Sequence, residues 1–153
     1  MPVLITSRLT CSPLQEQDWP FFLALQQHPD VMRFVAEDRP VAAIREAFDS
    51  RLTPWTPGSA HWLCLVVRDA ASRAPLGVTG YIHREEDCAE VGFLFAPEAQ
   101  GKGYGFESLK ALCDYAFHQG GIRRLTATVT AGNIASRRLL EKARFCLEGE
   151  LRE

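Results

Sequence analysis

No two cysteines in this 153-residue chain stand close together: the five, at positions 11, 64, 88, 113 and 146, occur singly, and four of them fall inside strand-like or helix-like patterns. They read as reduced, mostly buried thiols of a cytoplasmic protein rather than as staples or a metal clip. The four histidines, at 28, 61, 83 and 118, have neither ligand spacing nor cysteine neighbours, so no metal is expected. No apolar run approaches the ~20 residues of a membrane span, and the N-terminus lacks a charged stretch leading into an apolar core. A net charge of −2 leaves no basic footprint for nucleic acid, so neither a membrane nor a nucleic-acid partner is expected. Internal repeats and low-complexity linkers are also missing. At 46% hydrophobic, the length accommodates one domain, residues 1–153, with a real core.

What is present is an ordered series of periodic segments. A strand at Leu9 to Leu14 precedes Asp18, a plausible helix cap, and then Phe21, Phe22 and Leu25, with a short turn through Val31 to Val35. A helix over Val41 to Leu52 carries Ile44, Ala47 and Phe48 on one face and is broken by Pro54, Pro57 and Gly58. His61 to Arg68, Pro75 to His83 and Cys88 to Phe95 are β-rich and closely spaced, which predicts an antiparallel meander. In the third of these, Ala89, Val91, Phe93 and Phe95 alternate with Glu90, Gly92 and Leu94. Phe106, Leu109, Leu112, Cys113, Ala116 and Phe117 then mark a long amphipathic helix that Gly120-Gly121 closes. A strand Arg123 to Thr130, a helix from Asn133 and a last strand Cys146 to Leu151 complete the order. Such a series predicts an α/β (α+β) fold, a mixed and mainly antiparallel central sheet with flanking helices.

Between the third meander strand and the long helix lies Gln100-Gly101-Lys102-Gly103-Tyr104-Gly105. Glycines at a strand-to-helix junction let backbone N–H groups converge, and the helix dipole adds positive character, so the junction suits a phosphate or pyrophosphate. A P-loop does not fit: Ala96 stands at its first glycine, and Gly103 follows Lys102 where a hydroxyl is needed. A dinucleotide fingerprint fails too, because its third glycine falls on Phe106. Charge agrees with an anion here: from Gly101 onward there are 9 Lys/Arg against 6 Asp/Glu, and before it 8 against 13.

The loop matches Gln-x-x-Gly-x-Gly and resembles the pyrophosphate loop of the GNAT acyltransferases in letters and in context. The run Asn133-Ile134-Ala135-Ser136-Arg137-Arg138-Leu139-Leu140-Glu141-Lys142-Ala143-Arg144-Phe145 resembles the segment that follows the fifth strand of that superfamily. Thr6-Ser7-Arg8-Leu9, Leu76-Gly77-Val78-Thr79-Gly80 and Ala89-Glu90-Val91-Gly92 add to the likeness, which covers Thr6 to Glu150 and is similar to the branch acetylating ribosomal-protein amino termini. The resemblance implies a GNAT fold whose fourth and fifth strands splay to admit the pantetheine arm of acetyl-CoA, the cosubstrate. Phe93, Leu94 and Phe95 would then give main-chain contacts, and Gln100, Gly101, Lys102, Gly103, Tyr104 and Gly105 would hold the pyrophosphate. Gly101, Gly103 and Gly105 are read as glycines because a Cβ would obstruct that approach.

Transfer of an acetyl group from a thioester to an amine needs a neutral nucleophile, an oxyanion site and a proton for the thiolate. Glu90 is the candidate base or attractor of a cationic amine, against the alternative of a solvated strand carboxylate. A main-chain N–H near Leu94 is the family-based oxyanion donor. Leu140 stands where many relatives have tyrosine, so the resemblance passes the acid role to Ser136, a residue equally readable as a small contact. Asn133 would bond pantetheine or cap its helix. Trp55 and Trp62 lie in the region 34–62 expected to shape the acceptor pocket, and aromatics there serve either a ligand or the core. Arg144 replaces a glycine of the family pattern, which predicts a strained positive φ. Relatives continue beyond the position of Glu153 through a further strand, so the last strand is expected to be lacking, leaving an edge that a homodimer would cover. The implied function is acetyl-CoA-dependent N-acetylation of a protein N-terminus or a small-molecule amine by direct transfer; a non-catalytic acyl-CoA-binding module is the alternative.

Overall fold

Leu63 to Val67 are five consecutive buried residues, too many for a strand with one wet face. They belong to the centre of a sheet covered on both sides. The computed structural model describes residues 2–32, 39–128 and 133–145. Within them six strands lie in sequence order, β1 (Leu4–Ile5), β2 (Leu9–Pro13), β3 (Leu63–Asp69), β4 (Pro75–His83), β5 (Cys88–Phe95) and β6 (Arg124–Thr126). Each neighbouring pair is antiparallel except β5 and β6, which run parallel. The helices are α1 (Trp19–Gln27), α2 (Pro29–Met32), α3 (Val41–Leu52), α4 (Tyr104–His118) and α5 (Ile134–Lys142).

Strand alternation sorts the core into two layers. Leu63, Leu65, Val67, Tyr81, Ala89, Val91 and Phe95 meet Leu109, Leu112 and Ala116 of α4 and Leu140 of α5. Cys64, Val66 and Val78 face the other way, onto Phe22 and Leu25 of α1 and Ile44 and Phe48 of α3. Each large aliphatic or phenyl side chain among these contributes about 1.5–3 kcal/mol by leaving water, so each helical layer stabilises the face of the sheet that it covers. No helix among the described residues is long and apolar enough to cross a membrane. Burial pushes the thiol of Cys11 up to about 11, that of Cys64 to about 12 and that of Cys113 to about 11, which leaves them unreactive at neutral pH.

The expected helix at Val41–Leu52 and the strands at Pro75–His83 and Cys88–Phe95 are present with those bounds. Three local expectations change. A short β1 precedes the first expected strand, turned back by Thr6 N–H to Leu9 C=O at 2.9 Å. Asp18 stands at the N-cap position of α1, as expected, but its side chain makes no cap bond there; its Oδ2 accepts the Gln15 N–H at 2.8 Å, and its Oδ1 pairs with Arg68 of β3. Of the strand expected at Arg123 to Thr130 only Arg124–Thr126 forms among the described residues, with Arg123, Ala127 and Thr128 outside it. Residues 129–130, the last expected strand at 146–151, and the end of the turn expected at 31–35 lie outside the described residues.

Arg144 has φ 73°, as its place in the family pattern predicted. Its N–H bonds Glu141 C=O and the Phe145 N–H bonds Leu140 C=O, both at 2.9 Å, the paired bonds of a Schellman ending to α5. A left-handed arginine costs about 1–2 kcal/mol, and glycine there gives back ~0.5–1 kcal/mol as unfolded-chain entropy. Arg144→Gly is therefore expected to stabilise the protein by roughly 0.5–1 kcal/mol, read as a higher urea midpoint. A midpoint that falls rules out strain at this turn.

Candidate active site

The main chain of β5 is only partly paired on its β6 side. Cys88, Ala89 and Glu90 stand opposite Arg124, Leu125 and Thr126, and β5 then continues to Phe95 with no described partner on that edge. The phase of the β4–β5 ladder decides which groups are free. Arg84 N–H bonds Cys88 C=O and Ala96 N–H bonds Leu76 C=O, both at 2.9 Å, at opposite ends of an unbroken register. Residues 88, 90, 92 and 94 therefore direct N–H and C=O at β4, and 89, 91, 93 and 95 direct theirs outward. The Leu94 N–H is accordingly turned toward Val78 of β4; the outward donors near it belong to Phe93 and Phe95. The Phe95 C=O is occupied by Gln100 Nε2 at 3.1 Å, which ties the loop to the strand end.

Beyond Phe95 a single turn at Pro97–Ala99 leads into the glycine loop. Gly101 has φ 76° and Gly103 φ 82°, so two left-handed residues alternate with Lys102 and turn the chain into α4, whose N-cap is Gly103. A Cβ on Gly101 would meet nothing within 4 Å, which places that residue against open space. Gly105 has a different reason to be glycine. Its Cβ would lie 3.1 Å from Leu139 Cδ2 of α5 and 3.8 Å from Phe95 Cε2, so the contact it permits is with the neighbouring helix. The Lys102 side chain is exposed.

That same contact brings α5 beside the loop. Asn133 caps α5, its Oδ1 accepting the Ser136 N–H at 3.3 Å, which commits that oxygen to the helix. Ser136 is half-buried in the first turn of α5, and Leu140, one turn on, belongs to the core and offers no hydroxyl. The end of β5 and the start of α4 thus meet α5 at Leu139, in the second half of that helix.

Arg8, which the sequence singled out only as part of the Thr6–Leu9 likeness, and Glu107, which it did not single out, hold the loop. Arg8 donates from Nε to Glu107 Oε1 at 2.7 Å and from Nη1 to the Lys102 C=O at 3.0 Å, and its guanidinium lies 4.6 Å from the centre of the Tyr104 ring. Glu107 Oε2 also accepts the Arg8 N–H at 3.1 Å and the Thr6 hydroxyl. Burial pushes the Glu107 carboxyl up, but the bonds from Thr6 and Arg8 override it and hold it below its ordinary value.

On the opposite face of β5, Glu90 is half-buried, and its Oε1 takes Arg84 Nε at 3.0 Å and Nη2 at 2.8 Å. Two residues along, Gly92 lies under Trp62, whose ring edge would be 3.3 Å from a Cβ there. Arg51 stands 5.8 Å from the centre of that indole. Trp55 turns away into the core, edge-on to Tyr81 at 5.5 Å. Of the two tryptophans considered for an acceptor pocket, Trp62 lies against Gly92, in the part of β5 that has no described partner on its β6 side.

This architecture has close counterparts. The uncharacterized N-acetyltransferase YnaD of Bacillus subtilis is 26% identical over 147 residues, spanning 95% of this chain and 84% of that one. The FsC-acetyl coenzyme A-N(2)-transacetylase of Aspergillus fumigatus is 27% identical over 91% of this chain and 63% of its own length. The spermidine N-acetyltransferase of Vibrio cholerae, solved with CoA and spermine, superposes with a TM-score of 0.82 at 25% identity, covering 95% of this chain and 82% of that one. RimL, a ribosomal alpha-N-protein acetyltransferase solved with coenzyme A, reaches 0.80 at 19% identity over 97% of this chain and 86% of its own, a likeness of fold. A family model described as an acetyltransferase (GNAT) domain matches residues 8–146, most of the chain, so the chain belongs to the GNAT acetyltransferases.

Proposed function

We propose that the protein moves an acetyl group from acetyl-CoA to a primary amine, either a protein N-terminal α-amine or a small-molecule amine, by direct transfer in a ternary complex. The observation that carries this reading is the outward-facing stretch of β5 after Glu90, which leads through the turn at Pro97–Ala99 into a loop with two left-handed glycines at a helix N-terminus. The pair fits the two polar parts of one ligand: amides along an extended arm, and a pyrophosphate at the arm's end. Acetyl-CoA, when bound, supplies a thioester whose acyl carbon accepts the amine. The outward N–H groups of Phe93 and Phe95 are the donors for the arm and for an oxyanion. Gly101, Lys102 and Gly103, with the first N–H groups of α4, are the phosphate ligands. Ser136 offers the one hydroxyl in the first turn of α5 to protonate a thiolate, and the Asn133 amide NH₂, free of the capping role, offers a donor to the arm.

Glu90 is assigned to the amine. Arg84 bonds one of its oxygens twice, so Oε2 is the oxygen turned over to an incoming cation, directly or through water. A carboxylate neutralised in part by a guanidinium attracts an ammonium less strongly than a free one, which suits a single amine better than a multiply charged acceptor. Glu90→Gln is expected to raise KM for the acceptor by about tenfold, the effect of losing one charged hydrogen bond, with a smaller fall in kcat. Thiol release from acetyl-CoA, followed across amino acids, peptides with free N-termini and polyamines, checks both points. No turnover on any of them would sink the proposed activity, and an unchanged acceptor KM would remove Glu90 from the site.

A further inference from the structure

Resting on the coenzyme A reading of the loop, we propose that Arg8 is a positioning residue for the pyrophosphate site, and that its pairing with Glu107 removes a negative charge that would otherwise oppose the ligand. The geometry is unusually concentrated. One side chain from the β1–β2 turn holds the Lys102 carbonyl, covers the Tyr104 ring and pairs with Glu107, three points within the loop and first turn of α4. Its remaining nitrogen, Nη2, lies 3.2 Å from where a Gly103 Cβ would be. The turn that presents Arg8 is itself fixed to α4: the Thr6 hydroxyl donates to Glu107 while accepting the Leu9 N–H at 3.0 Å.

Glu107 makes the arrangement necessary. A carboxylate in the first turn is favourable to a helix, because it sits at the positive end of the dipole. The same place is where a pyrophosphate needs that positive end. Left alone, Glu107 would compete with the ligand; paired with Arg8 and Thr6, it keeps its value to the helix while its charge is spent. Arg8 is suited to this because its planar fork makes several bonds in fixed directions, which lysine does not. The loop is then shaped before the ligand arrives, and binding need not bear the ordering cost.

The test uses the full chain and three variants, Arg8→Met, Glu107→Gln and the double variant, with CoA as the probe. Calorimetry should find CoA binding weakened about tenfold or more in R8M, and the double variant should recover several-fold over R8M because the uncompensated carboxylate is gone. KM for acetyl-CoA should follow, with kcat at saturation within about twofold, a split that a general loss of packing would not give. Hydrogen exchange at 101–107 should speed up in R8M while amides of β3 and β4 keep their protection. Unchanged exchange at 101–107, or a double variant no better than R8M, overturns the proposal. If the wild-type protein binds no CoA and R8M still loosens 101–107, the coenzyme A reading fails and the brace stands. Arg8→Lys serves if R8M does not fold; it should loosen the same amides to a lesser degree, and normal protection there would count against the brace.

Discussion

Gly103→Val is expected to raise KM for acetyl-CoA by between about tenfold and hundredfold while the protein stays folded. Gly103 has φ 82° at the N-cap of α4. A β-branched residue is a genuine outlier there, at a cost of about 1–2 kcal/mol before any contact is counted. The backbone relieves that strain by rotating, and rotation turns aside the N–H groups at the start of α4. A Cβ would also stand 3.2 Å from Arg8 Nη2 and press on the side chain that holds the loop. Gly105→Ala is the internal control. Its Cβ meets the end of a flexible leucine at 3.1 Å, in a backbone conformation open to any residue, so Leu139 can move aside and KM should change by about threefold at most. The two variants separate a glycine required by backbone geometry from one required by packing. Equal KM values for Gly103→Val and the parent would mean that the loop does not hold the donor.

What was legible in the sequence was what depends on near neighbours. The helix at 41–52 and the strands at 75–83 and 88–95 follow from periodicity, which each segment carries by itself. The family motif located the glycine loop, and Asn133 standing before a helical run offered the cap, for the same reason: loop and cap are each a few residues long. The parts that were missed need a partner far along the chain. Asp18 was legible as the N-cap position of α1, but it was not legible that its carboxylate goes to Arg68, 50 residues on, instead of to the helix. Arg8 and Glu107 are 99 residues apart and carry no local signal of their pairing. The phase of β5 is another such case. Its letters reveal which side chains share a face, yet whether Leu94 or Phe93 turns its N–H to the open edge depends on where the β4–β5 hairpin begins its hydrogen bonding. Gly105 shows the same limit from the other side, for it belongs to the loop motif but answers to Leu139 of another helix.

The variant with the largest expected effect on stability lies outside the site. Gly80 of β4 stands opposite Cys64 of β3, and a Cβ on it would fall 1.7 Å from the Leu63 carbonyl oxygen and 2.8 Å from the Leu63 carbonyl carbon. Both obstacles are backbone, so no rotamer change relieves them. The strands must part, and they are the two least able to do so: Leu63, Leu65, Thr79 and Tyr81, which flank the contact, are all fully buried between the helical layers. Overpacking a core costs about 1–3 kcal/mol when side chains can adjust, and here the ladder itself must yield, so Gly80→Ala is expected to cost ~3 kcal/mol or more. Against a typical stability of roughly 5–15 kcal/mol, that is a large share. Urea unfolding monitored by tryptophan fluorescence measures it directly. Function should suffer with it, since β4 sets the register of β5, and the outward N–H groups of Phe93 and Phe95 keep their direction only while that register holds. An unchanged midpoint in Gly80→Ala would mean that β3 and β4 do not approach this closely.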